Sequence, residues 1–391
     1  MKNNMKINLA FEENRIIVTC EVKFSSPIES LNFTLNKNLT LLSISDGKRE
    51  VGWDKVLEYT PTFRVACYEY KVWDNSEFNQ VVMTYEGTIN GWCNFIQENA
   101  KALNFYSVWY PQELSEEIVT TEVLMKELDN YQVIKGTFDK KTDCWYYKAD
   151  KFDCQILAFK KGYFQFVNYE NLSIYYLNRN EEKVVNYIKY YYEDVLDYYE
   201  KTLFKSKVMN KLNLVSLSLE VFQGAYFREE LIVFTNFLDS DCSEENLNLK
   251  FGEMMAHELA HCWCTGADVD SWEDWLNETT AEWSALLYAR HRNKFKLFDN
   301  MMNPKLDEYL DLPAIKTTDG SRPMGVHSKG ALLFYFLYEK YGVETIEKLL
   351  QIFVNLRIKT TTAYLTEIKQ VLSPEIAWLI EKNLGNKQFE L

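Results

Sequence analysis

The sequence predicts an α+β protein, an N-terminal antiparallel β-domain followed by a mostly helical domain. Two observations predict it. From about Lys6 to Glu170, apolar and polar residues alternate in short runs, the period of half-buried strands. From about Glu181, apolar residues recur at helical spacing, broken by two short β-type runs. The expected domains are residues 1–175, 176–342 and 343–391, the last being a helical extension of the second.

In the first part, the strand-like runs are Arg15 to Phe24, Ser30 to Leu35, Gln80 to Tyr85, Gln132 to Gly136, Trp145 to Ala149, Ile156 to Lys160 and Phe164 to Tyr169. Several are separated by Asp, Asn or Gly, the residues that turns require. In the second part, Leu212 to Leu219 and Leu231 to Phe234 read as strands. A helix starts after Ser243, with Glu244 and Glu245 in its first turn, where carboxylates complement the helix dipole. A second helix runs from Glu278 to Arg292, with Trp283, Leu286, Leu287 and Ala289 on its apolar side. Glu344–Asn355, Tyr364–Leu372 and Pro374–Leu384 are amphipathic and predict a small terminal bundle.

Composition narrows the function classes. The 391 residues are 47% hydrophobic and 26% charged, enough for substantial cores. A net charge of -14 argues against nucleic acid or an anionic membrane as partner. No apolar run approaches the ~20 residues that span a bilayer. Met1 to Asn8 lacks the apolar stretch of a signal peptide, so a cytoplasmic protein is expected. Of the 8 cysteines, Cys20, Cys67, Cys93, Cys144, Cys154 and Cys242 are scattered and read as small buried hydrophobes. Cys262 and Cys264 lie beside the motif described next and are expected to confer sensitivity to oxidants.

The chain has only 4 histidines, and two of them bracket a glutamate in His257-Glu258-Leu259-Ala260-His261. Residues at i and i+4 share a helix face, so both imidazoles can reach one metal ion, and Glu258 is placed beside it. This is the H-E-x-x-H arrangement of zinc peptidases. Glu278, on the following helix, would complete a His, His, Glu set with an open fourth position, the mark of a catalytic rather than a structural zinc. Glu282, one turn further, can orient a histidine ligand from behind or stand as a solvated carboxylate.

The segments His257 to Trp263 (HELAHCW) and Trp275 to Trp283 (WLNETTAEW) resemble the zinc signature of the aminopeptidase N family, a branch of the gluzincins. The interval from Cys262 to Asn277 is shorter than the family's usual loop. Val184 to Phe204 is similar to the helix that opens the family's catalytic domain, and Asp143 to Phe159 to the closing strands of its N-terminal β-domain. The resemblance implies a thermolysin-like catalytic domain and one Zn2+ held by His257, His261 and Glu278. It further implies that Glu258 takes a proton from the attacking water and returns it to the leaving amine. Relatives often carry a large helical C-terminal domain over the cleft. Its absence here implies a more open site, or a homo-oligomer in which a second subunit covers it.

Two departures from the family bear on substrate. Where the family has a glutamate for the substrate's amino terminus, in a G-x-M-E-N strand, this chain reads Gly224-Ala225-Tyr226-Phe227-Arg228. An apolar ring cannot pair an ammonium as a carboxylate does. Glu229 or Glu230 is a possible substitute, but strand side chains alternate, so at most one points into the cleft. Glu98 is a further candidate amine contact, with Gly224 and Ala225 beside the substrate backbone. The second departure is His327, in the place of a family tyrosine ahead of Lys329-Gly330. An imidazole N–H can still donate to a developing oxyanion. Two other readings of His327 are an extra metal ligand and a histidine without a role. Three functions remain open: an aminopeptidase, a peptidase indifferent to a free amino terminus, or a weakly active relative that binds peptides.

Overall fold

The computed structural model describes residues 3–60, 65–115, 118, 120–149, 153–177, 181–206, 211–217, 224–228, 230–235 and 243–390. The chain divides into two compact units, Met1–Gln165 and Phe166–Leu391. The break falls ahead of the expected 175/176 boundary because the hairpin of Phe164–Asn168 and Leu172–Leu177 joins the sheet of the second unit.

The first unit is built on an eight-stranded sheet and a smaller four-stranded one. The runs Arg15 to Phe24 and Ser30 to Leu35 are two halves of one strand, Arg15–Asn36, which pairs with Cys67–Thr88. Register shifts between Lys23 and Ser30 interrupt the alternation there, and the extra residues of such a bulge explain why one strand reads as two. Ile16, Val18, Cys20 and Val22 form its buried face. The sheet is not wholly antiparallel, since Asn4–Glu12 pairs in parallel with Thr120–Met125. Parallel neighbours need a long crossover, which local alternation cannot reveal.

The second unit holds a five-stranded sheet in the order Phe164–Asn168, Leu172–Leu177, Leu212–Leu217, Leu231–Thr235 and Gly224–Arg228. Leu231–Thr235 is buried throughout, while Gly224–Arg228 runs antiparallel to it at the sheet edge. Among the described residues, eight α-helices follow or flank the sheet: α1 (Glu181–Tyr198), α2 (Glu244–Ala260), α3 (Trp275–His291), α4 (Phe295–Asp307), α5 (Val326–Tyr341), α6 (Val343–Asn355), α7 (Thr361–Val371) and α8 (Pro374–Leu384). The start of α2 is the one its first-turn glutamates predict.

Helix α3 is the axis of this unit. Every residue from Trp275 to Ala289 except Glu278 is fully buried, so it is apolar nearly all round rather than amphipathic. Its polar residues are satisfied locally: Thr280 Oγ1 donates to the Leu276 carbonyl and Ser284 Oγ to the Thr280 carbonyl, each at 2.6 Å. Trp283 Nε1 donates to the Ala331 carbonyl of α5 at 2.8 Å. The approach of α3 and α5 is close enough that Gly330 faces Thr279 with no room for a methyl group. No helix among the described residues is long and apolar enough to cross a membrane.

Candidate metal centre

The centre is assembled from α2, the turn after it, α3 and the first turn of α5. His257 lies in the last turn of α2, and His261 just past its end, where the backbone tightens and His261 N bonds the Glu258 carbonyl at 3.2 Å. The short loop back to α3 is closed by Asn277, which bonds both the N–H and the carbonyl of Ala267 at 3.1 Å. That clamp sets Glu278 in the first turn of α3, facing the histidines.

The imidazoles are oriented from behind. His257 Nδ1 lies 2.9 Å from Glu282 Oε2, and His261 Nδ1 lies 3.0 Å from the Cys264 carbonyl. Both partners only accept, so each Nδ1 carries a proton and Nε2 is the nitrogen turned towards the shared space, the one that has a lone pair for a metal when the ring is neutral. The two Nε2 atoms face each other at 3.3 Å, and Glu278 Oε2 stands 3.4 Å from one and 3.7 Å from the other. Zinc bonds of about 2.0–2.1 Å at a tetrahedral angle put two ligands about 3.3 Å apart. The triangle therefore has the dimensions of one face of a zinc site. Glu278 Oε2 is buried and takes part in no aligned hydrogen bond, although three imidazole nitrogens lie within 3.7 Å. A cation in that space would satisfy it.

The electrostatics make the same demand. Burial works against a charged His257, yet Glu278 and Glu282 hold its pKa well above the usual imidazole value. Burial also opposes the charged form of Glu278, yet His327 and His257 keep it well below the usual carboxylate range. Burial pushes His261 down to about 4 against the pull of Glu278, which keeps this imidazole free to bind a metal. The Glu258 carboxyl is buried, which pushes it up to about 7 against the nearby His257, with the charge of Glu278 adding to the rise. A backbone hydrogen bond from Phe227 reaches Glu258, so the edge strand Gly224–Arg228 adjoins the site.

Glu282 is not a solvated surface residue. It is 5% exposed and joins His257 to Lys305 of α4, whose Nζ is 2.7 Å from Glu282 Oε1. Burial would raise its pKa, but Lys305 and His257 together bring it to about 2. Removing such an orienting group typically lowers metal affinity about 10–100-fold. Glu282→Ala is therefore expected to release zinc to a chelator at a correspondingly lower concentration; unchanged affinity would refute this role.

His327 stands in the first turn of α5 with Nδ1 2.9 Å from Glu278 Oε2. One nitrogen each of His257 and His327 and a Glu278 carboxylate oxygen lie within 4.8 Å of one another, so this histidine adjoins the proposed centre. Gly224 and Ala225 are half-buried on the edge strand. Glu230 is exposed in the turn after that strand with φ 63°, and Glu229 lies outside the described residues. In the first unit, Glu98 is exposed and paired with Lys160 at 2.8 Å. Cys262 is half-buried and Cys264 fully so, and burial pushes both thiols up, Cys264 to about 11. Thiols held protonated in this way react slowly, against the expected oxidant sensitivity.

Sequence reasoning missed three residues of the centre: Lys305, Asp274 and Arg322. Arg322 is 8% exposed and donates from Nε to Asp274 Oδ2 at 2.5 Å, while its Nη2 lies 3.5 Å from Glu278 Oε1. It comes from the loop between α4 and α5, where no periodicity marks a residue as buried.

No protein-family model and no curated protein matches the chain. Solved structures do. The M1 zinc metallopeptidase from Deinococcus radiodurans is similar at a TM-score of 0.63 and 15% identity, over 99% of this chain and 94% of that one. A mutant of a two-domain M1 zinc metallopeptidase bound to L-arginine is similar at a TM-score of 0.65 and 15% identity, with the same coverage. The chain thus has the fold of the two-domain M1 zinc metallopeptidases.

Proposed function

We propose that the protein is a zinc-dependent peptidase that releases N-terminal residues from peptides. The observation that carries this reading is the triangle of His257 Nε2, His261 Nε2 and Glu278 Oε2, with sides of 3.3 to 3.7 Å. The two solved structures of similar fold named above are zinc metallopeptidases, which supports the choice of metal. Zinc, when bound, supplies Lewis-acid polarisation of the peptide carbonyl and of the water that attacks it. Glu258, buried beside the ligands, accepts the proton of that water and delivers it to the leaving amine. His327 donates an N–H to the oxyanion of the tetrahedral intermediate. Cys20, Cys93, Cys144 and Cys264 are free thiols, which fits a reducing compartment such as the cytoplasm.

His327→Ala should lower kcat about 10²–10³-fold with little change in KM, since the oxyanion exists only after attack. A KM increase at constant kcat would instead assign the histidine to ground-state binding.

Phe227 favours a second reading, a peptidase indifferent to a free amino terminus. Its backbone reaches Glu258, and the side chain this strand position carries is an apolar ring, which cannot pair an ammonium as a carboxylate does. Aminoacyl anilides and N-acetylated peptides of the same sequence separate the two. Cleavage of the anilide alone supports the aminopeptidase; equal cleavage of the blocked peptide supports the second reading. Inactivity towards both with zinc bound would leave a peptide-binding relative.

A further inference from the structure

Each of the three histidines at the centre has partners that fix its proton on Nδ1, but in His327 that nitrogen faces the centre, whereas in the other two it faces away. His257 and His261 keep their proton on Nδ1, facing away from the metal space, and offer Nε2. His327 is turned the other way round. Its Nε2 receives Arg322 Nη2 at 3.3 Å, and its Nδ1 faces the centre, 2.9 Å from Glu278 Oε2. A guanidinium has five donors and no acceptor, and it does not lose its proton in proteins. Nε2 must therefore hold a lone pair. In a neutral imidazole the proton is then on Nδ1. The carboxylate agrees, since a bare Nδ1 lone pair 2.9 Å from its oxygen would be repelled.

We propose that Arg322 fixes His327 as the Nδ1–H tautomer, so that this histidine serves as a hydrogen-bond donor inside the centre and not as a metal ligand. The inference rests on the peptidase reading for its use, but not for its geometry. A neutral histidine that ligates zinc through Nδ1 must carry its proton on Nε2, which would set two N–H donors against each other at the Arg322 contact. The same loop residue thus excludes the extra-ligand role and aims the one remaining proton at the space where an oxyanion would form. Arg322 acts through His327 and is a positioning residue. It is anchored for this task by Asp274 at 2.5 Å and is 8% exposed, whereas the His327 side chain is 48% exposed and within reach of substrate.

The test is nitrogen NMR on protein labelled with 15N-histidine, at about pH 8, above the usual imidazole range. With 4 histidines in the chain, His327→Gln assigns the signal of interest by its loss. The expected wild-type pattern is a protonated Nδ1 and an unprotonated Nε2, retained on loading with zinc. Arg322→Met should convert this into a mixture containing the Nε2–H form, with kcat reduced about 10-fold or more. A protonated Nε2 in the wild type, or loss of the Nδ1 proton on adding zinc, would overturn the proposal. So would the wild-type pattern in a folded Arg322→Met protein. If that variant does not fold, the wild-type spectra alone decide. The spectra need no turnover, so a correct tautomer in a protein without hydrolytic activity would sink the peptidase reading and leave this inference standing.

Discussion

Glu258→Gln should abolish hydrolysis while leaving zinc content and fold intact. The amide has the volume of the carboxyl group but cannot accept the proton of the attacking water, and loss of a general base costs about 10²–10⁴-fold. Neither ring nitrogen of His257 or His261 depends on Glu258 for its orientation, because Glu282 and the Cys264 carbonyl hold them. Metal affinity is therefore expected to stay near wild type. The measurement is a peptide-library digest read by mass spectrometry beside a zinc assay. Wild-type turnover in the variant would remove Glu258 from the mechanism; loss of zinc would make it a structural residue.

Gly330→Ala should destabilise the second unit and disturb the metal centre together. A Cβ at this position would lie 1.8 Å from Thr279 Oγ1 and 3.1 Å from Thr279 Cβ. Helix propensity alone favours alanine by about 1 kcal/mol inside a helix such as α5. Overpacking costs typically about 1–3 kcal/mol, and occasionally more. Thr279 is fully buried and cannot swing into solvent, so the clash outweighs the propensity gain. Relief requires α3 and α5 to separate, and Thr279 is the neighbour of Glu278. A lower melting temperature accompanied by weaker zinc binding is expected. A melting temperature equal to or above that of the wild type would show that the two helices do not meet as described.

The convergence of His257, His261 and Glu278 was legible in the sequence because it is written in local spacing. His257 and His261 are one helical turn apart, and Glu278 opens a helix whose start is marked by Trp275-Leu276-Asn277. The helices were legible for a similar reason: α6 and α8 have the apolar stripe that a surface helix needs. What was not legible depends on distance along the chain. Arg322 and Lys305 reach the centre from a loop and from α4, and nothing near either residue in sequence marks it as a partner of Glu278 or Glu282. The pairing of Asn4–Glu12 with Thr120–Met125 is equally remote. Glu282 illustrates the limit well. Its spacing from Glu278 allowed two readings, and only burial between His257 and Lys305 chooses the orienting one.

The role of Lys305 beside Glu282 also explains why a centre rich in carboxylates tolerates burial. Glu258, Glu278, Glu282 and Asp274 are all largely withdrawn from water. Buried charges persist only when paired and hydrogen-bonded. Lys305 and Arg322 each neutralise one side of the cluster, and the space between His257, His261 and Glu278 calls for a further positive charge.

Zinc titration of the metal-free protein, with Glu278→Ala in parallel, tests this most directly. One zinc per wild-type chain is expected, with an affinity reduced by orders of magnitude when the ligand proposed from α3 is removed. Equal zinc affinity in the two proteins would contradict it, because the triangle would then not be what holds the ion.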